Sequence, residues 1–193
     1  MHHKAVRYAF YSQLCLFIFL LICTLLMPHF LFERNEGGVS NYGVHALTIL
    51  PYTLAYGLSA ILMIRSALFI SKKGGLYTRM RQTVMIIALL YLIVLISTYP
   101  YKINHTFDVL HIYLGIVLFI AETAAAVWFA LVVAKTGWNR VLLSIQLMSS
   151  IALLLTLVGY VHILFVAEIA ASLAFGALFV TTTADLVKPH QPS

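Results

Sequence analysis

Six long apolar runs decide what this chain can fold into. They cover about residues 9–27, 46–70, 83–99, 109–134, 141–158 and 161–184. Each falls near the roughly 17–25 residues that a helix needs to cross a bilayer core. Charged residues make up 9% of the chain, 62% is hydrophobic and the mean hydropathy is +0.98. Soluble domains carry roughly 25% charged residues, so a water-soluble fold could not hide this much apolar surface. The expected fold class is all-α: one six-helix integral membrane bundle over residues 1–193, with no attached soluble domain. The first run lacks a small-residue cleavage site, because Met27-Pro28-His29 follows it. It reads as an anchor rather than a cleaved signal.

The formal net charge is +6. The basic residues are scattered over short loops, which fits membrane orientation and not nucleic-acid binding. Nine Lys and Arg fall in the N-terminal segment, the second and fourth loops and the tail, against Arg34 and Lys102 on the other side. Arg65 lies near the inner end of its span and can snorkel inward. The bias predicts both termini inside, in the plasma (inner) membrane. Cys15 and Cys23 share the first run about 12 Å apart along a helix. That is too far for a disulfide, so both read as small apolar residues.

Ionisable groups inside spans are costly and are candidate functional sites. Glu122 stands at the centre of the fourth span and Glu168 about a third of the way along the sixth. Asp108, His111, Gly115 and Glu122 share a narrow arc of the fourth helix, since eleven residues at 100° nearly restore the starting direction. His45, Tyr52, Tyr56 and Ser59 make a similar stripe on the second. Gln146, Ser149 and Ser150 add polarity on the fifth. A glycine-bearing polar loop, "ERNEGGVSNYGVH" (33–45), precedes the second span. Gly37, Gly38 and Gly43 would let it turn tightly over the outer mouth of the bundle, where Glu33, Glu36, Ser40, Asn41 and Tyr42 join the boundary residues His45, His105, Asp108, His111, Tyr160 and His162.

Each feature has a plainer reading. Tyr99 and Tyr101 fit an interfacial aromatic belt. Histidines at helix ends are commonly satisfied interfacial groups, and the two glutamates could be interhelical glue. The chain has no P-loop, dinucleotide fingerprint, HExxH or GxSxG elbow. No span has an HxxxH pair of the kind that zinc-dependent membrane ceramidases would need. A metal set would draw on His45, Asp108, His111 and His162, and haem on His111 with His162. Asn104-His105-Thr106 matches a glycosylation sequon too near the membrane to be used.

"EGGVSNYG" in the first loop and "DVLHIYLGIVLFIAE" opening the fourth span resemble the six-span membrane proteins of the Frag/DRAM/Sfk type and related bacterial proteins. Ser40, Gly43 and His111 are the matching positions, and the loop departs from the pattern by carrying Asn41-Tyr42 before its glycine. The resemblance implies a six-helix bundle with a structured outer loop and, in some relatives, roles in lipid organisation or signalling. It implies no enzymatic mechanism.

The leading expectation is a non-enzymatic protein binding a lipid or small amphiphile in an outward-facing cavity, through Glu36, Ser40, His45, Tyr52, His111, Glu122 and Glu168. Two alternatives stand beside it. One is a membrane-embedded, metal-assisted hydrolase in which Asp108, His111, His45 and His162 hold the metal and Glu36 or Glu122 is the general base. The other is a small transporter with Glu122 and Glu168 as a proton-carrying pair. A subunit of a larger complex is a further reading. Membrane lipids are the expected partners.

Overall fold

The computed structural model describes residues 2–31, 38–70, 74–100, 103–133 and 136–187. Glu33, Glu36, Gly37 and Tyr101 lie outside these, as do Arg34, Lys72, Lys73, Lys102, Lys135 and Lys188. Six long helices account for most of the chain: α1 (His2–Leu26), α2 (Ile49–Phe69), α3 (Gly75–Thr98), α4 (His105–Trp128, continued by a π turn over Phe129–Val133), α5 (Gly137–Leu157) and α6 (Leu164–Val187). There is no strand among the described residues. All six helices are long and apolar enough to cross a membrane. Their outward faces carry Leu25, Ile96, Ile120 and Met148, each more than half exposed. Apolar surface on both sides of a helix suits a lipid environment.

The helix ends follow local chemistry more than the apolar runs. α1 reaches back to His2 and α3 to Gly75, because Lys4, Arg7, Arg79 and Arg81 are good helix formers that need not sit in lipid. α1 stops at Leu26, since the residue before Pro28 disfavours the helical region. Pro51 stands in the first turn of α2, where its missing N–H costs nothing. Asn104 Oδ1 accepts from the Phe107 N–H at 3.1 Å and caps α4, so the sequon asparagine is a helix cap. Thr136 Oγ1 does the same for α5 with Asn139 N–H at 3.1 Å. α5 ends on a Schellman motif: Tyr160 N–H donates to Leu155 O at 2.9 Å and Gly159 N–H to Thr156 O at 3.0 Å. Gly159 has φ +82°, which glycine adopts without strain and most other residues do not. This turn makes the short α5–α6 hairpin.

Neighbouring helices run antiparallel, as their cross-links show. Ser66 Oγ near the end of α2 donates to Ala5 O near the start of α1 at 2.8 Å. Thr181 Oγ1 late in α6 donates to Asn139 Oδ1 early in α5 at 2.8 Å. α1 and α2 pack most closely. Their facing stripes are small: Ala5, Ala9 and Ser12 against Ala55, Ser59, Ser66 and Ala67, all fully buried. Small residues let the two helix backbones approach closely. α1 also packs on α6 and closes the bundle. Cys23 is buried here, Cys15 is half-buried, and both are free thiols. α4 rests mainly on α3 and touches α5 and α6 only sparsely. That thin contact is where the bundle leaves space.

Candidate functional site

The end of the bundle where α2, α4 and α6 begin is roofed by Gly38 and a 310 segment, Val39–Val44. Four anchors hold the roof down. The Val39 N–H donates to Glu168 Oε2 at 2.6 Å. Ser40 Oγ pairs with His111 Nε2 at 2.8 Å. Tyr42 is fully buried; its hydroxyl donates to Thr24 Oγ1 at 3.2 Å and its ring meets Phe165 edge-on at 5.8 Å. Burial pushes the Tyr42 phenol above the ordinary tyrosine value. Thr48 Oγ1 donates back to Tyr42 O at 2.8 Å. The glycines serve close approach: a Cβ on Gly38 would collide with the Glu168 carboxylate, and one on Gly43 would stand 2.7 Å from the Tyr52 ring.

Beneath the roof lies a cavity of about 170 Å³ between α3, α4, α5 and α6. Four of the expected ligand residues line it: Ser40, His111, Glu122 and Glu168. His111 and Glu122 are eleven residues apart on one helix face, so the cavity follows α4 for about 16 Å. Most of the remaining wall is apolar, with Val94, Ile116, Phe119, Leu153 and Leu157 among it. Among the described residues no Lys or Arg lines it. Glu122 is 4% exposed and its Oε1 accepts from the Tyr91 hydroxyl at 2.7 Å. Tyr56 also faces the cavity, and its ring packs on Tyr52 at 4.8 Å and on Tyr91 at 5.5 Å.

The remaining expected residues lie elsewhere. Tyr52 is buried behind the wall, with its hydroxyl 3.2 Å from Thr98 Oγ1. His45 does not line the cavity. The α2 helix begins only at Ile49, so His45 sits in a turn and the helical spacing that aligned it with Tyr52 does not apply. Asp108 is half-buried in the first turn of α4, and His162 is exposed between α5 and α6. Among the described residues no group of three or more His, Cys, Asp and Glu stands together as a metal set. His45, Asp108, His111 and His162 are therefore not gathered, and the haem pair joins one buried and one exposed histidine.

The surroundings of His111 assign its hydrogens. Ser97 Oγ donates its single hydrogen to Val94 O at 2.8 Å. His111 Nδ1, 2.9 Å from Ser97 Oγ, is then the donor of that pair. In the neutral ring Nε2 is left as acceptor for the Ser40 hydroxyl. Ser97 and Tyr91 are site residues that the sequence reading missed, together with the Val39 N–H. A signal was present for Tyr91, which lies seven residues before Thr98 and so on the same face of α3; Ser97 is turned about 120° from it, and all three are buried.

Comparison with known proteins gives no match to a family model, to a curated protein or to a solved structure.

Proposed function

We propose that this chain is an integral membrane protein, with both termini on the cytoplasmic side, that binds a lipid or small amphiphile in the roofed cavity. One observation carries the reading: both intramembrane carboxyls and His111 converge on a single, mostly apolar cavity. Carboxyl groups at this depth are costly unless partnered. Glu122 and Glu168 each have one hydrogen bond from the described residues, from Tyr91 and Val39. The free oxygens suit a ligand whose polar end donates hydrogen bonds, and the apolar wall suits a slim chain. A cavity of about 170 Å³ slightly exceeds the roughly 150 Å³ that accommodates benzene. It has room for one chain or a small headgroup. The Lys and Arg bias supports placing the roof outside. The loop and fourth-helix resemblance to the Frag/DRAM/Sfk type is consistent with a lipid-linked role.

Native mass spectrometry on protein released from mild detergent tests the reading. The wild type is expected to retain an amphiphile at about one per chain, and Glu122→Ala with His111→Ala is expected to lose it. Identical lipid retention in both would remove the basis of the proposal.

A further inference from the structure

The roof places a serine hydroxyl on a buried imidazole, and the imidazole is itself oriented by a third group. Ser40 Oγ is 2.8 Å from His111 Nε2, His111 Nδ1 is 2.9 Å from Ser97 Oγ, and Ser97 is fixed by Val94 O at 2.8 Å. His111 is 6% exposed, and Ser40 lines the cavity. Nucleophile, base and orienting group in that order form the general arrangement of an activated serine. We propose that Ser40 is an acyl-accepting nucleophile, with His111 as its general base and Ser97 as a positioning residue. The substrate class is an ester of a chain held in the cavity. This rests on the reading that the cavity takes an amphiphile.

The backbone supports the assignment. Gly38-Val39-Ser40-Asn41-Tyr42-Gly43 brackets the serine between two glycines in a tight 310 turn. The turn is pinned on one side of Ser40 by Glu168 and on the other by Tyr42. Ser40 is thus presented rigidly to the cavity, as a nucleophile must be. In the first step Ser40 Oγ bonds to the ester carbonyl carbon and its proton passes to His111 Nε2. The ester C–O bond then breaks, and the alcohol leaves with that proton. Water attacks the acyl-serine, giving its proton to His111 and then to Ser40 Oγ as the acid departs. The net reaction is ester plus water to carboxylic acid plus alcohol.

A long-chain alkyl fluorophosphonate, which phosphonylates activated serines, tests this on the full-length protein in lipid nanodiscs. The expected result is one adduct per chain by intact mass, mapped to Ser40, absent in Ser40→Ala and slowed at least about 100-fold in His111→Gln, given the usual worth of a general base. Ser97→Ala should slow labelling about tenfold and Ser97→Thr should restore it, which a merely structural contact would not do. Wild-type protein that retains its amphiphile yet forms no adduct would overturn the acyl-transfer inference and leave the binding reading intact. An adduct on Ser40 whose rate His111→Gln does not change would also overturn it. Loss of both amphiphile and labelling in the wild type would overturn both. The deciding measurements are on the wild type, and roof hydrogen exchange checks the fold of each variant.

Discussion

Replacing Glu168 tests whether one side chain holds the roof. Val39 is 4% exposed, and its N–H donates to Glu168 Oε2 at 2.6 Å. Glu168→Leu would leave that N–H buried without an acceptor, at a cost of about 1–3 kcal/mol. Glu168→Gln keeps a carbonyl oxygen on a side chain of the same length, so its cost should stay well under about 1 kcal/mol. Taking about 2 kcal/mol for the leucine variant, the population with the roof open rises about 30-fold, since 1.4 kcal/mol is a factor of ten. Hydrogen exchange of the Val39–Val44 segment in nanodiscs reads this directly, because local opening sets exchange there. The leucine variant should exchange about 30-fold faster in this segment, with α1 and α2 unchanged, and the glutamine variant should stay within about threefold of wild type. If leucine leaves the roof protected, or glutamine opens it as far as leucine does, Glu168 is not the latch.

Three further outcomes follow from the same geometry. Gly115 lines the cavity and a Cβ there meets nothing within 4 Å, so Gly115→Leu should fill the space, keep or raise stability, and lower amphiphile retention at least tenfold by native mass spectrometry. Gly159, at φ +82° with open space around it, should cost about 1 kcal/mol when changed to Ala; that is a fall of about 2–4 °C in melting temperature, largely recovered by Gly159→Asn. A double-mutant cycle of Tyr91→Phe with Glu122→Leu should give a coupling of about 0.6–1.7 kcal/mol, the range for interhelical hydrogen bonds in membranes, measured by reversible unfolding in micelles.

The bundle was legible because each long apolar run becomes one helix long and apolar enough to cross a membrane, and the short links after α2 leave adjacent helices antiparallel. The α4 arc was legible too. Helical geometry alone put His111 and Glu122 on one face, and they line one cavity. His45 was misplaced by the same rule, applied four residues before α2 begins. The pairs Ser97–His111 and Tyr91–Glu122 could not be read from the sequence, since the choice among polar partners on neighbouring helices depends on interhelical register. Setting Ser97 beside His111 does not by itself bring the second pair together: Tyr91 lies about 9 Å along α3 from Ser97, and Glu122 about 16 Å along α4 from His111, so the reach of the two long side chains closes the rest. The Glu168 contact was the least legible, because its partner is a backbone N–H far away in the chain, in a turn whose shape depends on the bundle beneath it. Tyr42 reads as a polar loop residue by position, and the structure buries it as an anchor.

Photocrosslinking compares the cavity with the outward surface of the same helix. Ile116 lines the cavity, while Ile120, one turn further along α4, is 60% exposed. A diazirine amino acid is placed at each in turn, and the adducts are identified by mass spectrometry from native membranes. The binding account predicts one predominant amphiphile at 116 and the bulk lipid mixture at 120. The same bulk mixture at both positions, or only water adducts at 116, would contradict it.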